Sequence, residues 1–593
     1  MEQAPMSGAV SNALVDLIGV PFEMARITTA SIVYKSEGKL GHLTDRELKD
    51  SLARIVPSAR EADLCTAEPR TFYAERYGGQ GIGIHEGGAR CGLDRDSGLQ
   101  VKGGGANPLR NPDAPPGYSH GGLSLAECIQ ELLWSEVFMI ALPYGAVKCP
   151  AVIATGTQCW WVTERWSEDE LAPRYGRPPR IPRGLFVREF ALRPGHFMRA
   201  VRPSRYRTTS SAQEIERLTK LVRIIPDALA DQGILDSGQG LRYQLVEVAK
   251  RFARQSSAAM AKCLVHGAIS PSNICLDGRW IDFGSSTSIP TFGDPIGYPP
   301  VLNDVPLYLT IFDELALNIS KYGASRSDMV YSDLLQAMTA SYIEEVEHCR
   351  AARVLALCGY PLPMCEQLLN DSAGVAFVAA AKRLINVGAG RFVSAHPDDH
   401  DSFALYDVKQ IIKCLVVCRG EGQRISELQR LLGSDSLQRD LFSTFTRLNE
   451  RAMQLASADG LSPKSFECVV RLNCAAVTRK ATVLYREKLV SVTEALASTD
   501  SMAWPGAVDE LLNLVRRDAR LQFEDRTTWC SPIWAQDGNE CRYDARADLI
   551  RCTKPGSDVE RWRIHDAMRM GLMGAASAAI ADWWGDDIMR CLI

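Results

Sequence analysis

Residues 265–284 read VHGAISPSNICLDGRWIDFG. Two short runs, Ile274 to Leu276 and Arg279 to Ile281, flank the dipeptide Asp277-Gly278. Asp-Gly suits a two-residue type I′ turn, in which both central residues need φ > 0. Folding the chain there pairs 276 with 279, 275 with 280, 274 with 281 and 273 with 282. Asn273 and Asp282 then face each other at the open end of the ribbon, with Cβ atoms about 5 Å apart. An amide oxygen and a carboxylate so placed are hard ligands able to share one Mg²⁺, an ion that takes one or two protein carboxylates plus substrate phosphates. An ordinary surface hairpin with a polar base fits the same residues.

The full string says more than the hairpin. His266-Gly267, then Asn273 six residues after that glycine, then Asp282-Phe283-Gly284 starting nine residues after the asparagine, resembles the catalytic and metal-binding loops of the protein-kinase fold. In that fold the Asn and the D-F-G Asp hold the metals that bridge the nucleotide phosphates. Kinases place an Asp base just after the His-Gly or His-Arg pair, and here that position is Ala268. The expected metal pair is present while the usual base is absent.

At 593 residues the chain can hold two to four domains. A hydrophobic fraction of 46% with 23% charged residues excludes a mainly disordered chain. A net charge of −4 offers no global electrostatic case for nucleic-acid binding. The 18 cysteines lack any C-x-x-C pair, which points to reduced thiols and not to a disulfide framework. Glu2 and the absence of an early basic cluster make the N-terminus a poor secretory signal. No run approaches 18 uncharged apolar residues, so no membrane span is expected. The expected location is cytoplasmic, and a protein exported by a specialised secretion machine would read the same way.

Along the chain, helices are expected around 8–18 and 45–55. Residues 72–105 are glycine-dense, with strand alternation at Ile82/Ile84 and at Leu99/Val101. Such glycines let backbone N–H groups approach phosphates. After the Pro/Gly loop 111–122, Ser124 and Glu127 form a capping box. Leu125, Cys128, Ile129, Leu132 and Leu133 then recur at helical spacing, flanked by Glu131. Residues 147–163 and 184–192 are β-rich, and 176–184 is a basic loop. Beyond 300, amphipathic helical patterns dominate. Cys530, Cys541 and Cys552 recur every eleven residues without the paired spacing of a zinc site. His396 and His400 fall in a Pro-broken polar segment, and Cys591 stands third from the end.

Lys102 ends the strand GLQVK, and Glu131 lies on the next helix, in the order of the lysine–glutamate pair that contacts phosphate in a kinase-like site. Five blocks, YGGQGIG (77–83), VKGGGANPL (101–109), IQELLWSE (129–136), FVREFALRPGHF (186–197) and 265–284, together resemble the signature blocks of the selenoprotein O family. Members are pseudokinase-fold protein adenylyltransferases that bind ATP in a flipped orientation and transfer AMP. The similarity spans roughly 30–290.

The resemblance implies an α+β, protein-kinase-like two-lobed fold with a mainly α-helical C-terminal region. The expected divisions are an N-terminal helical extension over 1–64, an N-lobe over 65–204, a C-lobe over 205–420 and a helical region over 421–593. It implies ATP with Mg²⁺ or Mn²⁺ as cofactors and a hydroxyl-bearing acceptor, on a protein, as partner. Lys102, Glu131, Gly103 and Gly104 would serve the nucleotide, and Asn273 and Asp282 the metal. Arg188 and Arg193 would clamp the distal phosphates, where guanidinium forks suit phosphate oxygens. Arg90 would match the arginine of the family's glycine-rich loop.

Three positions depart from the family. The Asp that precedes the metal-binding Asn, its expected base, is Ser272 here. The two arginines are five residues apart instead of seven, and the Lys-to-Glu segment is about six residues longer. Asp277, Asp282 or a substrate group is left to act as base. A small-molecule phosphotransferase or nucleotidyltransferase and a non-catalytic nucleotide-binding regulator are the competing readings.

Overall fold

In the computed structural model the described residues are 8–38, 40–58, 61–79, 86–111, 120–160, 180–200, 210–289, 304–323, 330–388, 408–418, 421–432, 435–479, 482–536, 539–553 and 560–563. The architecture is α+β: a large antiparallel sheet, a helical body and a small C-terminal sheet.

The N-terminal elements are α1 (Gly8–Ile18), β1 (Gly19–Ile27), β2 (Ser31–Lys35), α2 (Asp45–Leu52) and β3 (Arg54–Ile55). Then come β4 (Cys65–Glu75), β5 (Cys91–Asp94), β6 (Leu99–Lys102), β7 (Leu123–Ser124), α3 (Leu125–Ala141), β8 (Ala151–Trp160) and β9 (Arg180–Glu189). The strands run β2-β8-β9-β6-β5-β4-β1-β3, with β7 added beside β9. The two expected early helices form, but 1–64 is no helical extension: β1, β2 and β3 are members of the sheet. Phe22 and Met24 alternating with Glu23 and Ala25 carried that strand signal. The expected basic loop 176–184 is strand from Arg180 onward.

Strand alternation decides what each face of the sheet carries. Leu99, Val101, Leu185 and Val187 point into an apolar layer shared with Leu48 and Leu52 of α2. Gln100, Lys102, Phe186 and Arg188 take the opposite face, with Gln100 directly across from Arg188 and Lys102 across from both Cys91 and Phe186. Glu75 at the end of β4 shares that face, because Tyr73 pairs with Leu93 and Leu93 with Gln100.

The helical body comprises α4 (Ser211–Asp231), α5 (Leu241–Ala261), α6 (Asp304–Tyr322) and α7 (Tyr331–Leu357). Between α5 and α6, the short ladder of β10 (Leu264–Val265) with β11 (Thr287–Ser288) brackets the segment 266–286. The chain continues through α8 (Leu362–Leu369), α9 (Ser372–Gly388), α10 (Val408–Val417), α11 (Glu421–Leu432), α12 (Asp435–Ala458), α13 (Pro463–Val477), α14 (Arg486–Ala497) and α15 (Trp504–Phe523). One apolar core joins α3 to α4–α7, α14 and α15, and a second joins α7–α13 to the C-terminal sheet.

That sheet corrects the expectation of helix throughout 421–593. After α15, β12 (Cys530–Gln536), β13 (Asn539–Asp544), β14 (Leu549–Thr553) and β15 (Glu560–Arg563) pair consecutively and antiparallel. The eleven-residue cysteine spacing is in part a hairpin period, since Cys541 of β13 lies across from Cys552 of β14. No helix among the described residues is long and apolar enough to cross a membrane. Ile82, Ile84, His396, His400 and Cys591 lie outside the described residues.

Candidate active site

Helix α3 starts where Ser124 accepts a hydrogen bond from Glu127 N at 3.0 Å. Only half of the expected capping box forms, because the Glu127 carboxylate instead pairs with Arg90 Nη2 at 3.1 Å. Leu125, Cys128, Ile129, Leu132 and Leu133 are all buried, as their spacing predicts. On the side facing β6, Glu131 is fully buried and its Oε1 accepts a hydrogen bond from Lys102 Nζ, itself 1% exposed. The same ammonium donates to Asp282 Oδ1. One lysine thus bridges a helix carboxylate and the carboxylate of the D-F-G triplet.

The electrostatics follow from that sharing. Burial acts to raise the Asp282 pKa, but Lys102, then Arg188 and Arg90, overcome it and hold the carboxyl well below the usual carboxylate range. Burial dominates at Glu131 and, with the Asp282 charge beside it, pushes that carboxyl up despite Lys102. Burial disfavours the Lys102 ammonium, yet the two carboxylates hold its pKa above the ordinary lysine value.

The two arginines expected to act together do different things. Arg193 Nη1 donates to Ser272 O at 3.0 Å, and its Nη2 to Glu75 Oε2 at 3.1 Å and Gln100 Oε1 at 3.5 Å. It is a strut between the sheet and the loop that precedes Asn273. Arg188 donates through Nε to Gln100 Oε1 and through Nη2 to Cys91 Sγ at 3.7 Å. Among the described residues it meets no carboxylate in an ion pair, and its Nη1, buried, has no partner at all. A guanidinium 2% exposed whose hydrogen bonds among the described residues go only to neutral groups is costly to bury.

Glu75 and Gln100 were not singled out from the sequence. Their signal was strand alternation, which puts Glu75 on the face of Lys102. Burial works to raise the Glu75 pKa, but Arg193, His196 and Arg188 bring it down to about 2.

The segment 266–284 forms a hairpin, one residue out of the expected register. Ile274 bridges Trp280, Cys275 N donates to Arg279 O at 2.9 Å, and Ile281 N donates to Asn273 O at 3.1 Å. Asp282 therefore lies one residue beyond the rung opposite Asn273, at φ +73. The Asn273 amide donates to Ala268 O at 2.8 Å and accepts from Ser272 Oγ at 3.1 Å, which leaves an Oδ1 lone pair. Buried His266 accepts from Ala268 N at 3.3 Å, so the ring N–H is on Nε2, 3.0 Å from Ile281 O. Burial drops the His266 pKa to about 4.

Of the two side chains left to act as base, Asp277 is removed by geometry. It is 4% exposed and locked to Arg279 through N at 3.0 Å and Nε at 2.6 Å. Asp282 is bound to Lys102. Ser272 is buried, with its hydroxyl between Ser270 Oγ and Asn273 Oδ1.

The glycines after Lys102 are closely packed. Gly103 N donates to Arg90 O at 2.9 Å and its carbonyl accepts from Arg183 Nη2 at 2.9 Å, so neither group is open to a phosphate. Gly104 O accepts from Val56 N at 2.7 Å, and a Cβ there would lie 2.4 Å from Met24 Cε. Both are packing glycines. Of the YGGQGIG block only Tyr77 to Gly79 is described; Gly78 N donates to Gly195 O at 2.8 Å, which seats it beside the Arg193 segment.

The donors suit a hard cation. Asp282 has a third of its side chain exposed and, among the described residues, Lys102 as its one hydrogen-bond partner. Among the described residues no group of three or more His, Cys, Asp or Glu could hold a metal. A cation at Asn273 and Asp282 would need substrate oxygens to fill its shell, the usual habit of Mg²⁺. The chain matches no protein-family model and no curated protein.

Proposed function

We propose that this chain is an ATP-dependent nucleotidyltransferase that moves AMP to a hydroxyl on an acceptor protein. The scaffold is read as a kinase-like pair of lobes, with the large sheet and α3 above and α4–α7 below. One observation carries the reading: Arg188, buried and among the described residues in no ion pair, with Nη1 lacking a hydrogen-bond partner, sits on the same sheet face as the Lys102 that grips Asp282. A polyphosphate would give the Arg188 Nη1 the hydrogen-bonded anion it lacks among the described residues.

In this reading Lys102 and Arg188 bind the phosphates, and Glu131 orients Lys102. Arg193 positions the loop through Ser272 O. Asn273 and Asp282 would hold Mg²⁺ or Mn²⁺, which neutralises phosphate charge when bound. The acceptor oxygen bonds to the α-phosphorus as the bond to the bridging oxygen breaks, and pyrophosphate leaves. With Ala268 and Ser272 at the two base positions, the hydroxyl proton passes to solvent. A missing base typically costs 10²–10⁴-fold in rate and leaves transfer possible.

The buried, hydrogen-bonded Ser272 favours one other reading, a nucleotide-binding regulator without turnover. Incubation with α- and γ-labelled ATP separates the two. AMP transfer leaves α label on an acceptor and releases γ label as pyrophosphate. Attachment of γ label alone would mean a phosphotransferase. Tight ATP binding without either label attached, in the presence of acceptor, would mean the regulator.

A further inference from the structure

Helix α3, LAECIQELLWSEVFMIA, is apolar almost all round, and Leu125, Ile129, Leu132, Leu133, Trp134 and Val137 are all buried. A helix of that kind needs cover on every side. The sheet covers one side, where Gly184 of β9 packs so closely that a Cβ would lie 2.6 Å from Cys128 Sγ. The other cover comes from far along the sequence, as α14 and α15 share one core with α3.

Polar bonds fix the fit. Gln130 Nε2 donates to Thr493 Oγ1 of α14 at 2.8 Å. Arg516 of α15 donates through Nε to Glu136 Oε2 at 2.8 Å and through Nη2 to the Tyr34 hydroxyl on β2 at 3.3 Å. One arginine therefore ties α15 both to α3 and to the sheet. Gln130 is the immediate neighbour of Glu131, and a slip of one residue turns a helix by about 100°. Such a slip would carry Glu131 away from Lys102.

We propose that the α14–α15 pair is a built-in brace that sets the rotation of α3, with Thr493 and Arg516 as positioning residues for Glu131. Its catalytic consequence rests on the nucleotide reading above; the brace itself does not. A chain so built holds the Lys102–Glu131 pair closed with no partner protein to press on α3.

The test uses the full chain carrying Arg516→Ala with Thr493→Val. Amide exchange of 125–141 is followed by mass spectrometry, and ATP affinity by calorimetry. The brace requires exchange to quicken in 125–141 while α12 and α13 keep wild-type rates. Its positioning role toward Lys102 further requires the ATP Kd to rise about tenfold, the size of part of a charge-assisted contact, and quickened exchange with an unchanged Kd would overturn that role. The swap Arg516→Glu with Glu136→Arg should restore both. Should the double variant fail to fold, Thr493→Val alone carries the same comparison. Unchanged exchange in 125–141, or quickening shared equally by α12 and α13, overturns the brace. If the wild-type chain binds no ATP, the nucleotide reading fails, and the exchange data still decide the brace.

Discussion

Arg188 and Arg193 lie five residues apart, both 2% exposed, yet their replacement by methionine should act on stability in different ways. Arg193 neutralises Glu75, which is 1% exposed and whose pKa falls from an ordinary 4.5 to about 2. At about 1.4 kcal/mol per pKa unit, that shift amounts to ~3 kcal/mol. Losing one partner of a buried ion pair costs about 3–5 kcal/mol. Arg193→Met also leaves Ser272 O without its donor, so the upper part of that range is expected.

Arg188 neutralises no carboxylate by direct contact, and its Nη1 already lacks a partner. Gln100 Oε1, which loses Arg188, keeps Arg193 Nη2 at 3.5 Å. A methionine fills much of the same volume and removes a buried charge, at the cost of its attraction to Asp282 and Glu75, so Arg188→Met should destabilise by less than Arg193→Met. The ligand response is the reverse of the stability response: Arg188→Met should weaken ATP binding by roughly 1.5–3 kcal/mol, the value of a charge-assisted contact. Urea unfolding and calorimetric ATP titration measure the two effects separately. Equal destabilisation by both variants would refute the distinction between Arg193, in direct contact with a carboxylate, and Arg188, hydrogen-bonded to neutral groups. Unaltered ATP affinity in Arg188→Met would refute phosphate binding on this sheet face.

Three further outcomes are expected. His266 has its folded pKa depressed to about 4 from an ordinary 6.5, so its stability contribution is complete above 6.5 and is lost as pH falls toward 4. That loss is bounded by ~3 kcal/mol, and urea midpoints of wild type and His266→Gln should converge as pH drops from 7 to 4. Gly184→Ala should destabilise by about 1–3 kcal/mol through overpacking against Cys128 and Leu125, and should weaken ATP binding by moving α3. Ser272→Asp places a carboxylate beside Asn273, and the α-label transfer rate should rise or hold steady. A fall in that rate with ATP affinity intact would count against the base assignment.

The resemblance to a kinase-like order of motifs grouped Lys102, Glu131 and Asp282, while alternation in LQVK and the helical repeat gave the facing of the strand and the helix. They were not enough to divide the roles of Arg188 and Arg193. Both are basic residues in one block, and what separates them is which strand faces which: Gln100 opposite Arg188, and Glu75 within reach of Arg193. The brace on α3 was equally hidden, since Gln130 and Thr493 are 363 residues apart and no local pattern links them. The C-terminal sheet was missed for a different reason. Its strands are short and follow a long helical run, although Cys541 and Tyr543 alternate with Arg542 in the usual way.

The hairpin departs from the type I′ geometry expected of Asp277-Gly278. A type I′ turn needs positive φ at Asp277 and at Gly278, but only Gly278 adopts it, at +99. The Asp277 carboxylate accepts from Arg279 N and Nε instead, an aspartate turn that leaves its own φ negative. The result is a three-residue loop with a glycine bulge: Gly278 N donates to Cys275 O at 2.9 Å, and every rung shifts by one. In a regular ribbon that shift would turn Asp282 to the opposite face. It does not decide the matter here, because Asp282 leaves the ladder in the left-handed region, which aspartate tolerates better than most residues. Asp282 is thus held at the site by Lys102 and by its own backbone turn, and not by a cross-strand rung with Asn273. The spacing of nine between the two residues therefore reflects a bulged loop plus one left-handed residue.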